Sequence, residues 1–132
     1  MTFSGGVEEF DLNTLHLLRA WSEPGAAGTT VSPDGSELYI AANNAGLRIV
    51  DLVSGADEPL VPLPGLYDVK VLPGSDVIVA DGVRGGVFVL DRASRVLIAR
   101  LPVGGAPRGM AVDPTGHLII EANESGWVDF IQ

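Results

Sequence analysis

Four glycines, Gly6, Gly46, Gly86 and Gly126, recur every 40 residues along this 132-residue chain. Each opens a short alternating run: Gly6-Val7-Glu8-Glu9-Phe10-Asp11, Gly46-Leu47-Arg48-Ile49-Val50-Asp51, Gly86-Val87-Phe88-Val89-Leu90-Asp91 and Gly126-Trp127-Val128-Asp129-Phe130-Ile131. Asp11, Asp51 and Asp91 close the first three runs, and Thr14, Ser54 and Ser94 follow each Asp by three residues. Asp-x-x-Ser/Thr is a turn device, because the carboxylate accepts backbone N–H bonds just ahead of it. A fixed period constrains the fold more than any local pattern, since each repeat is one supersecondary unit that buries its apolar face only against its neighbours.

A second marker lies between these runs. Val31-Ser32-Pro33-Asp34-Gly35, Val71-Leu72-Pro73-Gly74-Ser75 and Val112-Asp113-Pro114-Thr115-Gly116 are strand ends running into Pro and Gly turns. An apolar strand follows each: Leu38-Tyr39-Ile40-Ala41-Ala42, Val77-Ile78-Val79-Ala80 and Leu118-Ile119-Ile120-Glu121-Ala122. Leu15 to Trp21 has apolar spacing compatible with a helix. Shifted by 80 residues it overlays Arg95 to Leu101, which reads Val96-Leu97-Ile98-Ala99, so the repeat favours strand.

About forty residues with four short strands per period is the signature of β-propeller blades. The expected fold is all-β, with blades of four antiparallel strands, a to d from the channel outward. Strand a is expected near 28–32, 68–72 and 109–113, and strand b near 37–42, 76–81 and 117–122. Strand c is the Gly-initiated run, and strand d is expected near 15–21, 58–63 and 95–101. The chain then reads as one unit over 1–132, with strands c-d at about 5–23, full blades at about 24–63 and 64–104, and strands a-b-c at about 105–132. The 17 Gly and 9 Pro serve as punctuation between strands.

That is a partial or half propeller of about three blades, whereas closed rings use about four to eight. An open array exposes apolar faces and strand edges. Two arrangements complete it: a homodimer forming a six-bladed ring, or the remainder of a longer propeller. The split blade carries strand c twice, at 6–11 and 126–131, so one copy is redundant in a six-bladed dimer, and the pattern breaks off after Ile131 before a closing Asp and strand d, which favours the longer propeller.

The unit Val31 to Asn43, Val-Ser-Pro-Asp-Gly-x-x-Leu-Tyr-Ile-Ala-x-Asn, resembles the YVTN-type repeat, as does Leu101 to Gly116. That repeat belongs to propellers of the quinoprotein amine dehydrogenase-like superfamily, and the likeness covers about residues 5–131. The middle blade departs from it: Pro73-Gly74-Ser75 replaces Pro-Asp-Gly, and Val83-Arg84-Gly85 lengthens the turn before Gly86. The resemblance implies blade type and says little of activity, since its relatives include surface-layer and periplasmic propellers, sugar-lactone hydrolases and cytochrome-linked dehydrogenase subunits. It also implies a periplasmic or secreted parent. The N-terminus lacks a basic region followed by an apolar stretch, so the chain as written is expected to carry no signal peptide and to be cytoplasmic.

Ligand sites of such folds occupy the channel mouth, where the d–a and b–c loops gather. The d–a junctions place Tyr67, Asp68 and Arg108 there as a candidate polar ligand pocket, joined by Arg84 from a b–c loop. Asn43, Asp81 and Asn123 follow Ala42, Ala80 and Ala122 and are equivalent in this reading. A ring of such oxygens, with Glu121, suits a hard cation such as Ca²⁺. It is similar in residue type to the metal centre of gluconolactonase-like propellers, which implies a metal-dependent lactonase or hydrolase. Against it stands turn capping by Asn and Asp, and for Glu121 a water-facing edge strand. Arg108 has a bland alternative too, a solvated or inter-blade ion pair.

The remaining residues exclude more than they suggest. With no Cys there is no disulfide, thiolate metal site or Cys nucleophile. His16 and His117 fall at opposite ends of the blade pattern and do not share a site. Trp21 and Trp127 are expected to pack between blades. Gly82 to Gly86 is no phosphate loop. A net charge of -9 argues against nucleic-acid binding, and no apolar run reaches the ~20 residues of a membrane helix. The expected function is a non-catalytic propeller module for protein binding or assembly, with the metal-dependent hydrolase as the alternative.

Overall fold

In the computed structural model, which describes residues 2–3, 5–82 and 86–132, the chain is all-β. The strands are β1 (Thr2–Phe3), β2 (Gly6–Phe10), β3 (Leu17–Ser22), β4 (Gly28–Val31), β5 (Glu37–Ala41), β6 (Leu47–Asp51), β7 (Leu66–Val71), β8 (Val77–Gly82), β9 (Gly86–Asp91), β10 (Leu97–Leu101), β11 (Pro107–Val112), β12 (Ile119–Asn123) and β13 (Trp127–Ile131). They form four antiparallel sheets in chain order: β1-β2-β3, β4-β5-β6, β7-β8-β9-β10 and β11-β12-β13. This is the blade architecture of a partial β-propeller, with β4, β7 and β11 side by side as the innermost strands.

Two differences from the sequence pattern have local causes. The first sheet includes β1, paired with the start of β2 through Phe3 and Gly6. The strand expected near 58–63 is reduced to two bridges, Leu47 with Val61 and Val50 with Asp57. Pro59, Pro62 and Pro64 lie in or beside it, and proline cannot donate to a ladder. Among the described residues no helix is long and apolar enough to cross a membrane.

The 40-residue glycine period has a backbone cause. Gly46 and Gly86 sit at φ of 119° and 85°, and the outer segment presses on both. A Cβ on Gly46 would lie 2.3 Å from the Val61 carbonyl oxygen, and one on Gly86 would lie 2.0 Å from that of Leu101. No side chain fits there. The Asp period has a similar cause. Asp11 Oδ1 accepts the N–H groups of Asn13 and Thr14 at 2.8 Å each, and Asp51 Oδ1 accepts those of Val53 at 2.7 Å and Ser54 at 2.9 Å. Asp91 Oδ1 accepts the N–H of Ser94 at 2.7 Å. In each of these turns the next residue, Leu15, Gly55 or Arg95, turns left-handed.

Three apolar seams join the four sheets. Val7, Leu38, Ile40 and Val50, with Trp21 against them, fill the first. The second is the largest: Tyr39, Ala41, Leu47 and Ile49 meet Leu66, Val69, Ile78, Ala80, Phe88 and Leu90. The third has Val79 and Val87 against Met110 and Ile119. Side chains alternate along a strand, so each sheet gives one parity to the sheet before it and the other to the sheet after. Ile78, Ala80, Phe88 and Leu90 face backward, and Val79, Asp81 and Val87 face forward.

A candidate polar site in the third seam

The forward-facing Asp81 of β8 meets Glu121 of β12 across the third seam. Both residues are fully buried, and their carboxyl groups lie close enough to act on each other. Strand register explains the meeting. On the inner side Val69 pairs with Ala80, and Met110 pairs with Glu121, so Glu121 takes the place of Ala80 one sheet later. In the second seam the same two places hold Ala41 and Ala80, both buried.

The anchoring of the two carboxyls is unequal. Asp81 Oδ1 accepts the N–H groups of Asp68 at 2.5 Å and Tyr67 at 3.2 Å. Glu121 Oε1 receives only a long bond, 3.4 Å, from the Gly109 N–H. Asp81 Oδ2 and Glu121 Oε2 are buried and find no N–H or O–H donor among the described residues. A proton on one carboxyl supplies the missing donor. Burial pushes the pKa of both groups up. For Glu121 the Asp81 and Asp68 charges add to that rise, whereas the N–H bonds from Asp68 and Tyr67 hold Asp81 back. Both shifts run toward the protonated form, and the weaker anchoring of Glu121 favours the proton on its side.

Asp68 and Lys70 complete the cluster from β7. Lys70 Nζ donates to Asp68 Oδ1 at 2.6 Å and to Oδ2 at 2.7 Å, and Asp68 Oδ2 also accepts the Met110 N–H at 3.0 Å. That last bond ties the innermost strands of the third and fourth sheets together. On the other side β4 comes close: a Cβ on Gly28 would lie 2.6 Å from Asp68 Oδ1.

The residues singled out in the sequence divide into three groups. Tyr67 and Arg108 come together as a stack, with Arg108 Cζ 3.8 Å from the ring centroid. Arg108 Nε lies 3.0 Å from Glu124 Oε2 but lacks hydrogen-bond geometry to it. Asp68 adjoins this stack in sequence but turns to Lys70 and Met110. Arg84 lies outside the described residues.

Asn43, Asp81 and Asn123 occupy different positions in their sheets, which corrects their expected equivalence. The register places Asp81 with Ala41, opposite Val87 and Leu47, while Asn43 lies beyond β5 in a left-handed conformation and bridges to Leu66. Asn123 caps turns: its Oδ1 accepts the N–H groups of Ala106 at 2.9 Å and Ser125 at 3.1 Å, and its Nδ2 donates to the Gly104 carbonyl at 3.0 Å. Among the described residues no group of three or more His, Cys, Asp or Glu is arranged to hold a metal ion.

Two further expectations are corrected. Glu121 does not face water from an edge strand, because β12 is the middle strand of its sheet. Trp127 does not pack between blades. It is 44% exposed, and its indole N–H donates to Asp129 Oδ2 at 3.0 Å. The signal that sequence reading missed was Lys70, whose spacing from Asp68 puts both on one strand face.

No protein-family model matches the chain, and no curated protein matches it. Among solved structures, hydrazine synthase from Kuenenia stuttgartiensis is similar, with a TM-score of 0.84 over 97% of this chain at 18% identity. The chain spans 40% of that protein's chain. At this identity the likeness concerns the fold alone.

Proposed function

We propose that this chain is a propeller module for protein binding and assembly, built on YVTN-type repeats, whose fourth sheet docks a further blade. One observation carries the reading. Ile120 pairs with Phe130, Ala122 with Val128, and Ala111 with Ile120, so these five apolar residues share the forward face of the fourth sheet. In the second and third sheets the equivalent face is covered by the next sheet. Here Val128 is 52% and Phe130 69% exposed. A contiguous apolar face beside the free edge of β13 is a binding surface or an aggregation hazard. Phe10, on β2 of the first sheet at the other end of the array, is a further exposed apolar residue.

Light scattering tests this on the purified chain. A mass above the 13.7 kDa of one copy is expected, and Phe130→Asp should return it to that mass. A wild-type chain that stays at one copy across concentration, with a constant melting temperature, overturns the reading.

A further inference from the structure

We propose that Asp81 and Glu121 form a proton-operated latch on the seam between the third and fourth sheets, closed when one proton is shared and weakened when it is lost. The latch stands on geometry. Two fully buried carboxyls face each other where the neighbouring seam holds two alanines. Each has an oxygen that no N–H or O–H among the described residues reaches unless one carboxyl is protonated. With the proton present, Glu121 donates to Asp81 and the seam is polar but satisfied. Without it, two like charges face each other in a dry interface.

The surrounding charges do not relieve that repulsion. From β7, Lys70 is held by both oxygens of Asp68, and the Asp68 charge still raises both carboxyls. From β13, Asp129 pairs with Glu121 on the same face and adds a further carboxylate, itself bonded by Trp127 and Asn123. From β11, Gly109 and Met110 offer only N–H groups, while Arg108 turns to Tyr67. From β9, Val87 is apolar and pairs with Asp81. From β4, Gly28 brings no side chain.

The direction follows from linkage. Both folded-state pKa values lie above their unfolded values. Linkage therefore places the stabilising contribution at low pH, where the pair carries at least one proton, and removes it as pH rises through the folded values. The latch itself does not depend on the assembly reading.

Thermal melting of the whole chain from pH 5 to pH 8.5 tests the latch, with Glu121→Gln as the variant and Glu58→Gln as a charge-matched control on an exposed carboxylate. Wild type and Glu58→Gln should lose about tenfold or more in folding constant relative to Glu121→Gln over that range, since one pKa unit is a tenfold change. Parallel curves for all three overturn the latch. Should Glu121→Gln fail to fold, ¹³C carboxyl NMR of the wild type decides. A buried Glu121 resonance titrating near neutral pH supports the latch, and one titrating with the exposed glutamates overturns it. A monomer–oligomer change that does not track this titration would bear on the assembly reading alone.

Discussion

The second and third seams join sheets of one repeat pattern, yet they are built from different materials. The second buries an uninterrupted apolar set, with Tyr39, Leu47, Ile49, Leu66, Ile78 and Leu90 all inaccessible to water. The third buries fewer and less complete apolar residues and puts Asp81 and Glu121 where the second has Ala41 and Ala80. Equivalent backbone places thus accept either chemistry. Apolar contact holds a seam at every pH. A carboxyl pair holds it only while its proton count is right, and a buried ion pair or carboxyl pair is a weak source of net stability. The difference should make the third seam easier to open than the second.

Cutting the apolar seam should therefore have the largest effect. Ile49→Ala, in the middle of the second seam, is expected to cost about 2–5 kcal/mol, read by urea denaturation. Ile119→Ala removes the same atoms from the third seam and should fall at the low end of that range, because its surroundings are less complete. Equal costs would break the comparison.

Asp81→Ala should cost about 1–3 kcal/mol, since it orphans the Tyr67 and Asp68 N–H groups that Asp81 now satisfies. Its partner should behave in the opposite way. Glu121 has one long bond from Gly109 and an oxygen without an N–H donor. Glu121→Leu fills a similar volume and should stabilise the chain by about 1 kcal/mol at pH 8.5, with the gain shrinking toward pH 5. A loss at both pH values would mean that the carboxyl contributes more than its shared proton explains.

How much of this was legible in the sequence depends on how local each cause is. The blade period was readable because Gly46 and Gly86 answer to backbone conformation and a pressing carbonyl, and Asp51 and Asp91 answer to N–H groups two or three residues away. The seam pairing was not. It depends on strand parity, and register shifts between Leu66 and Val69 and between Pro107 and Gly109 change how sequence neighbours line up. Counting residues after an alanine therefore grouped Asn43, Asp81 and Asn123, whereas the ladders group Ala41 with Asp81 and Ala80 with Glu121. Glu121 looked like an edge residue because a carboxylate among isoleucines points to water unless its buried partner is known, and that partner, Asp81, lies in the neighbouring sheet.

The smallest expected effect lies at the other end of the second seam, and it sharpens the contrast by showing what a polar contact at the rim contributes, with Arg92 and Glu37 partly covered and Asp34 open to water. Arg92, in the turn after β9, reaches back to the second sheet: its Nη2 donates to Asp34 Oδ2 at 2.8 Å and its Nε to Glu37 Oε2 at 3.2 Å. Arg95 pairs with the same Glu37, and the Tyr39 hydroxyl donates to it at 2.5 Å. Burial, with the Glu37 charge and hydrogen bond beside it, pushes the Tyr39 pKa up to about 12, so the hydroxyl stays a donor through the neutral range. Asp34 is open to water and already bonded by Ser32 and Ser36, so it loses little when the guanidinium goes. Arg92→Ala should therefore lower the melting temperature less than any substitution above. Salt should erase most of the difference, because exposed ion pairs are screened within about 10 Å at 0.1 M. The Asp81–Glu121 seam should keep its pH dependence in the same salt, since a dry carboxyl pair is screened much less. A clasp insensitive to salt, or a latch abolished by it, would show that the two seams do not differ in the way their burial implies.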